Sequence, residues 1–350
     1  MDDETIVKRK TIASPSFTSC KLGQSEGRKH RMTSFLTPNR HGYSVRFSPF
    51  DGKKIVVATS QYFGLAGGGT LFALQVTPDD SLVEAGKFEW PDGLFDVVWS
   101  ETNPDLVVTA SGDCSLQLWN LCQDPFPVQI FKEHKKEVYS VDWSQTRTEQ
   151  LILSASWDCT VKLWDPTRKE SLATFPGHSQ LVYNAKWSPH VPSCFASVSG
   201  DGTLRVWNAQ LPQRASISFK VHDAEVLSCS WCKYNLNLLA TGGSEGLIRG
   251  WDLRNPSCPI FELRGCEYAV RRVQFSPHQA SLLGSVSYDF TTRIWDINQS
   301  PSAIETIKHH SEFVYGLDFN NLVEGQIADC GWDSLVHVFS PSSLRDREQR

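Results

Sequence analysis

Two stretches of the chain carry the residue types of a serine hydrolase triad at matched spacing: His134, Ser156 and Asp158, then His178, Ser199 and Asp201. A histidine that takes the proton of a serine hydroxyl, with an aspartate to orient its ring, would support acyl transfer. Each set is completed by a tryptophan, Trp164 and Trp207, and the second lies 44 residues beyond the first, from His134 to His178. An active site is built once, whereas a constellation copied along a chain is a building element. The better reading is a hydrogen-bonded tetrad that runs from the loop before one strand, through the turn after the next, to the tryptophan of a third, stabilising without chemistry. Other copies vary as a staple can: Cys266 replaces His, Glu245 replaces Asp, Gly243 and Gly331 stand for Ser, and Trp90 takes an earlier histidine position. No catalytic residue is assigned, and the chain is not read as an enzyme.

Two further motifs carry little chemistry. Cys229-x-x-Cys232 is half of a zinc set, but no second Cys or His pair stands at zinc spacing, and the pair falls on a strand beside Trp231. No metal or cofactor is expected. The glycine-rich "GLAGGG" at 64–69 has no Lys-Ser or Lys-Thr after it, so it is a long flexible loop and not a phosphate cradle.

The elements that position these residues recur with one period. Trp119-Asn120, Trp164-Asp165, Trp207-Asn208, Trp251-Asp252 and Trp295-Asp296 mark five strand ends, and Leu74-Gln75 and Phe339-Ser340 are degraded copies in the same register. A spacing of 43 to 45 residues with this dipeptide is the signature of WD repeats, each folding into one four-stranded blade. The chain is therefore all-β, a seven-bladed WD-repeat β-propeller. In the third repeat the strands fall at 137–143, 150–156, 159–165 and 170–175, and alternation places Tyr139, Val141 and Trp143 on one face. The last repeat ends after three strands, so the stretch from Met32 to Leu36 is the natural fourth, closing the ring by pairing N- and C-terminal segments. Residues 1–30 read as a flexible polar arm, 31–340 as the propeller and 341–350 as a charged tail.

Bulk properties narrow the function. A formal charge of −5 over 350 residues gives no global field for nucleic acid. Ten cysteines are scattered without a disulfide framework, and Lys8, Arg9 and Lys10 precede no apolar signal core, which points to a reduced, intracellular setting. No segment approaches the roughly 18 apolar residues of a membrane span.

The loops before the first strand and after the second strand of every blade share one face, the top. At the turn before the tetrad aspartate stand Gly112, Trp157, Gly200, Ser244, Tyr288 and Trp332. At the top of the innermost strands, around the central channel, stand Tyr43, Phe95, Tyr139, Tyr183, Leu227, Arg271 and Tyr315. The entering loops add Asp92, Asp96 and Glu137, with Glu225, Glu267 and Glu312 further round, while Arg271 and Arg272 bring positive charge from the sixth blade. Acids beside a crown of aromatics with free hydroxyls suit a basic, amphipathic peptide lying across the channel mouth.

The segments "GYSVRFSPFDGKKIVVATSQYFGLAGGGTLF" (42–72), "GLFDVVW" (93–99), "FKEHKKEVYSVDW" (131–143) and "SASWDCTVKLWDP" (154–166) resemble the cytosolic receptors for the type-2 peroxisomal targeting signal, the seventh-peroxin family. The resemblance covers essentially the whole repeat region. It implies a receptor that cycles between cytoplasm and peroxisome and binds an N-terminal signal of the form Arg/Lys-Leu/Val/Ile-x5-His/Gln-Leu/Ala on matrix enzymes. It further implies a co-receptor, in animals and plants the long form of the type-1 signal receptor, and docking proteins at the peroxisomal membrane. From column position, Asp92, Asp96 and Glu137 are assigned to the basic end of the signal. Tyr43, Phe95, Tyr139, Tyr183, Trp157 and Trp332 are assigned to its apolar stripe. The other class compatible with these residues is a WD-repeat scaffold of a chromatin or ubiquitin-ligase assembly.

Overall fold

Short β-rich runs separated by Gly, Pro, Asn and Asp turns fold here into seven antiparallel sheets of four strands each. The computed structural model describes residues 32–146, 149–299 and 301–348. The expected arm at 1–30 lies outside the described residues. Among those described, no helix is long and apolar enough to cross a membrane.

Blade one is built from His41–Phe47, Lys54–Ser60, Gly69–Val76 and Leu82–Trp90, and the next five blades repeat the pattern in sequence order. The third blade has strands Val138–Trp143, Ile152–Ser156, Val161–Trp164 and Ser171–Phe175, close to the spans expected. In the seventh blade, Val314–Phe319, Ile327–Gly331 and Leu335–Phe339 are joined by Thr33–Leu36, with Ser34 opposite His337 and Phe35 opposite Val336. Thr37 fastens this closure, its amide and hydroxyl both donating to the Ser334 carbonyl.

The core sits between blades. Val108, Ala110 and Leu116 of blade two pack with Val138, Val141 and Trp143 of blade three, and Val45, Phe47 and Ile55 of blade one pack with Ala328, Val336 and Val338 of blade seven. A single blade therefore cannot bury its own apolar face, and stability comes from neighbours. Trp119, Trp164, Trp207 and Trp295 are among the largest fully buried side chains.

Simple alternation fails at the top of every innermost strand. The pairing shifts between Gly42 and Ser44, Leu94 and Asp96, Val138 and Ser140, Val182 and Asn184, Val226 and Ser228, Val270 and Arg272, and Val314 and Gly316. Each shift is a β-bulge, which re-aims one side chain and drops it from the ladder. Val138 thus joins Val141 and Trp143 in the core, whereas Tyr139, expected beside them, turns into the channel mouth.

The end of the chain also departs from expectation. In place of a loose charged tail, Ser342–Glu348 forms a helix whose Leu344 is buried among Leu282, Val286 and Phe339. The Glu305 carboxylate accepts the amides of Ser342 and Ser343.

Candidate functional site

The tetrads form, with one correction. His134 Nδ1 lies 2.7 Å from Asp158 Oδ2, and its Nε2 lies 2.7 Å from Ser154 Oγ, which also accepts the Trp164 indole N–H at 2.8 Å. The serine of the tetrad is Ser154, on the second strand itself, not Ser156. Ser156 instead donates to the Lys136 carbonyl and accepts the Asp158 amide, closing the turn. Likewise Ser197, not Ser199, joins His178 to Trp207. The turn bends the chain back on itself, so the hydroxyl two residues earlier faces the ring. Blade five, read as decayed, is complete in this register: His222, Thr241, Glu245 and Trp251. Burial works against ionised Asp158, yet donation from His134, Thr160 and the Lys135 amide holds its carboxyl well below the usual range. Ser154→Ala leaves His134 Nε2 and the Trp164 N–H without a buried partner. It is expected to cost about 1–3 kcal/mol in urea unfolding, and more than Ser156→Ala.

The seven bulge positions are the channel-mouth column expected from sequence. Tyr43, Phe95, Tyr139 and Tyr315 form a buried aromatic cluster, against which Trp157, Tyr183, Tyr288, Phe313 and Trp332 are partly buried. Trp332 stacks on Tyr315 at 4.8 Å, and Trp157 on Tyr139 at 5.2 Å. The rings form a plug rather than an open crown. Their hydroxyls are largely engaged: Tyr43 donates to the Phe63 carbonyl, Tyr288 to Tyr315 and Tyr183 to Glu225. Tyr43, Phe95 and Tyr139 therefore support the surface from beneath, and Trp157, Tyr183 and Trp332 belong to its accessible layer. Arg271 is buried below, its guanidinium 4.8 Å from the centre of the Tyr139 ring and 5.1 Å from that of Tyr315.

Asp96 does not reach the top face. It is fully buried in the channel, accepting from Arg272 at 3.0 Å, Ser44 at 2.7 Å and the Val141 amide at 3.1 Å. The Phe95 bulge sends the following side chain inward. Arg272 is consumed by the same pair, so neither arginine of blade six charges the top surface. Asp92 and Glu137 remain partly exposed there, with Glu225 beside Tyr183 and exposed Glu267 and Glu312 further round. A cavity of 460 Å³ is lined by the inter-blade pairs Arg46–Asp318 and Lys186–Asp142.

A loop read as loose completes the surface. Gln61 bonds both backbone polar groups of Gly68 across the loop base, through its amide and its side chain. Gly64 sits at φ 72°, where a Cβ would strike the Tyr43 hydroxyl. Tyr62 and Phe63 take φ values of 43° and 56°, costing on the order of 1–3 kcal/mol each. This backbone presents Tyr62, Phe63 and Leu65 to solvent, Leu65 at 88% exposure. Phe63 contacts Trp332, which contacts Phe313, which contacts Phe290, so an apolar arc runs over blades one, seven and six. Asp92, Glu137 and Glu225 occupy the arc over blades two to five. Sequence reasoning missed Tyr62, Phe63 and Leu65; three large apolar residues inside a glycine-rich loop were the available signal.

A closed seven-blade ring of tetrad-stapled sheets, with an aromatic mouth, makes this a WD-repeat propeller, and the family described as WD domain, G-beta repeat matches residues 125–165, 169–208, 214–252 and 257–296. The chain is 51% identical over 307 residues to the peroxisomal targeting signal 2 receptor of Mus musculus, covering 88% of this chain and 96% of that one. Identity is 53% over 309 residues to the Homo sapiens receptor of the same name, covering 88% and 95%, and 41% over 302 residues to peroxisome biogenesis protein 7 of Arabidopsis thaliana, covering 85% and 95%. This chain belongs to the peroxisomal targeting signal 2 receptor family.

Proposed function

We propose that this protein is a non-enzymatic import receptor that holds the N-terminal type-2 signal of peroxisomal matrix proteins flat across the top of the propeller. The relatives' name supplies the ligand class. The observation that carries the placement is the division of the top face into an apolar arc, Tyr62, Phe63, Leu65, Phe290 and Trp332, and an acidic arc, Asp92, Glu137 and Glu225. A signal helix with basic residues on one side and spaced apolar residues on another matches both arcs at once. The plug beneath keeps the peptide from threading the channel, and Trp157 and Tyr183 lie where the arcs meet. Membership in the family also supports cycling between cytoplasm and peroxisome, a co-receptor of the type-1 receptor's long form, and docking proteins at the peroxisomal membrane.

The test is fluorescence anisotropy with a labelled type-2 signal peptide, with and without co-receptor. Asp92→Lys/Glu137→Lys is expected to weaken binding at least about ten-fold, or about 1.4 kcal/mol, at unchanged thermal midpoint. Binding that survives the reversal moves the site. Absence of specific binding by the wild type with functional co-receptor overturns the receptor reading in favour of a general WD scaffold.

A further inference from the structure

Blade seven breaks the repeat at three positions together. Opposite one another on the second and third strands, blades three to six place Ser154 and Lys162, Ser197 and Arg205, Thr241 and Arg249, and Ser285 and Arg293; blade seven places Asp329 and His337. The residue before the tetrad histidine position is Glu133, Gly177, Val221 and Gly265 in blades three to six, and His309 in blade seven. A hydroxyl has become a carboxylate, and two positions have become imidazoles, around one point.

The groups converge. One ring nitrogen from each of His309, His310 and His337 lies within 4.8 Å of the others. Asp329, fully buried, is 2.8 Å from His309 Nε2 and 3.1 Å from His310 Nε2, and accepts Thr292 Oγ1 at 2.6 Å. The outer nitrogens are already oriented: His310 Nδ1 is 2.9 Å from Asp333, and His337 Nδ1 is 2.7 Å from Ser34 Oγ. Carboxylate and hydroxyl partners on the far side of a ring are what fixes the tautomer of a metal-binding histidine. His337 Nε2 is buried and has no hydrogen-bond partner, although its residue is only 3% exposed. A neutral His337 ring keeps a lone pair on one of its two nitrogens. With Nδ1–H donating to Ser34, that lone pair is on Nε2. A buried N–H left unmatched there would be costly.

We propose that His309, His310, His337 and Asp329 form a structural site for a divalent transition metal of the zinc class, built into the blade that closes the ring. Three imidazoles and one carboxylate suit a four-coordinate ion of this type. His309, with 11% of its side chain exposed, is the open side through which an ion enters. Through Ser34 the site reaches the N-terminal strand, and through Thr292 it reaches blade six, so a bound ion ties three separate chain segments at the seam.

The experiment takes the full chain, strips it with chelator and titrates it with zinc and with cobalt. One ion per chain is expected after gel filtration, with the visible bands of a four-coordinate nitrogen and oxygen site and no thiolate-to-cobalt charge-transfer band. The thiolate control matters because the chain has ten cysteines. His337→Gln and His309→Gln are each expected to lower zinc affinity by at least about 100-fold, and Ser34→Ala, an outer partner only, by about 10-fold. His309→Gln carries the test if the more buried variant fails to fold. Failure to retain an ion, a thiolate band, or equal affinity in wild type and His309→Gln would each overturn the assignment.

Discussion

Asp96→Ala is expected to lower the free energy of unfolding by about 3–5 kcal/mol, the cost of leaving one member of a buried ion pair alone. The loss is large because one carboxylate joins four blades. It accepts Ser44 of blade one, the Val141 amide of blade three and, across the channel, Arg272 of blade six, while belonging itself to blade two. Burial opposes its ionisation, yet Arg272, Lys186 and Arg46 hold the carboxyl well below the usual range. Arg272→Met alone is expected to cost a similar amount. The double variant Asp96→Ala/Arg272→Met should cost less than the sum of the singles, since both charges leave together. Urea unfolding of all four proteins gives the cycle. The folded fraction of Asp96→Ala should keep its affinity for signal peptide, unlike Asp92→Lys/Glu137→Lys. Additive single and double effects would remove the ion pair from the account.

Deleting residues 1–37 is expected to do more, producing aggregating or higher-order species. The deletion strips Thr33–Leu36 from the outer edge of blade seven and exposes the strand Leu335–Phe339. It also removes Phe35, whose ring meets Phe72 at 5.8 Å, and the Thr37 bonds to Ser334. An unpaired apolar edge is a template for other chains. Because the described part of the deletion is a single strand, a synthetic peptide spanning 31–38 added in trans should restore the full-length elution volume on size-exclusion chromatography. A deletion variant that elutes like the full chain with an unchanged melting curve would show the strand to be ornamental.

The ring was readable because its signals are periodic. Trp119, Trp164, Trp207, Trp251 and Trp295 set the register, and the missing fourth strand of the last repeat pointed to Met32–Leu36. What alternation could not supply was the bulge at the top of each inner strand. A strict two-residue period keeps Tyr139 with Val141 and leaves Asp96 near the loop, whereas one unpaired residue per strand sends Tyr139 to the mouth and Asp96 into the channel. The same local geometry hid the tetrad serines, since Ser154 and Ser156 differ only in which side of the turn their hydroxyls face. Of the assigned top residues, Asp92, Glu137, Trp157, Tyr183 and Trp332 lie at an accessible or half-buried surface, and Tyr43, Phe95 and Tyr139 lie under it. Tyr62, Phe63 and Leu65 are not legible because glycine content reads as looseness, when Gly64 is there to let the loop press on Tyr43. The helix Ser342–Glu348 escaped because its anchor is one leucine in a charged run.

The seam between the two ends of the chain also sets a clock for the ribosome. Thr33–Leu36 is made about 300 residues before its partner Leu335–Phe339. At roughly 5–20 residues per second the first strand waits on the order of 15–60 s for its neighbour. Until then every inner sheet can stack on the one before it, but blade one keeps one apolar face, Val45, Phe47 and Ile55, bare toward a blade not yet synthesised. Synthesis rate and holdase supply, more than final stability, would then govern the yield of closed rings from each round of translation.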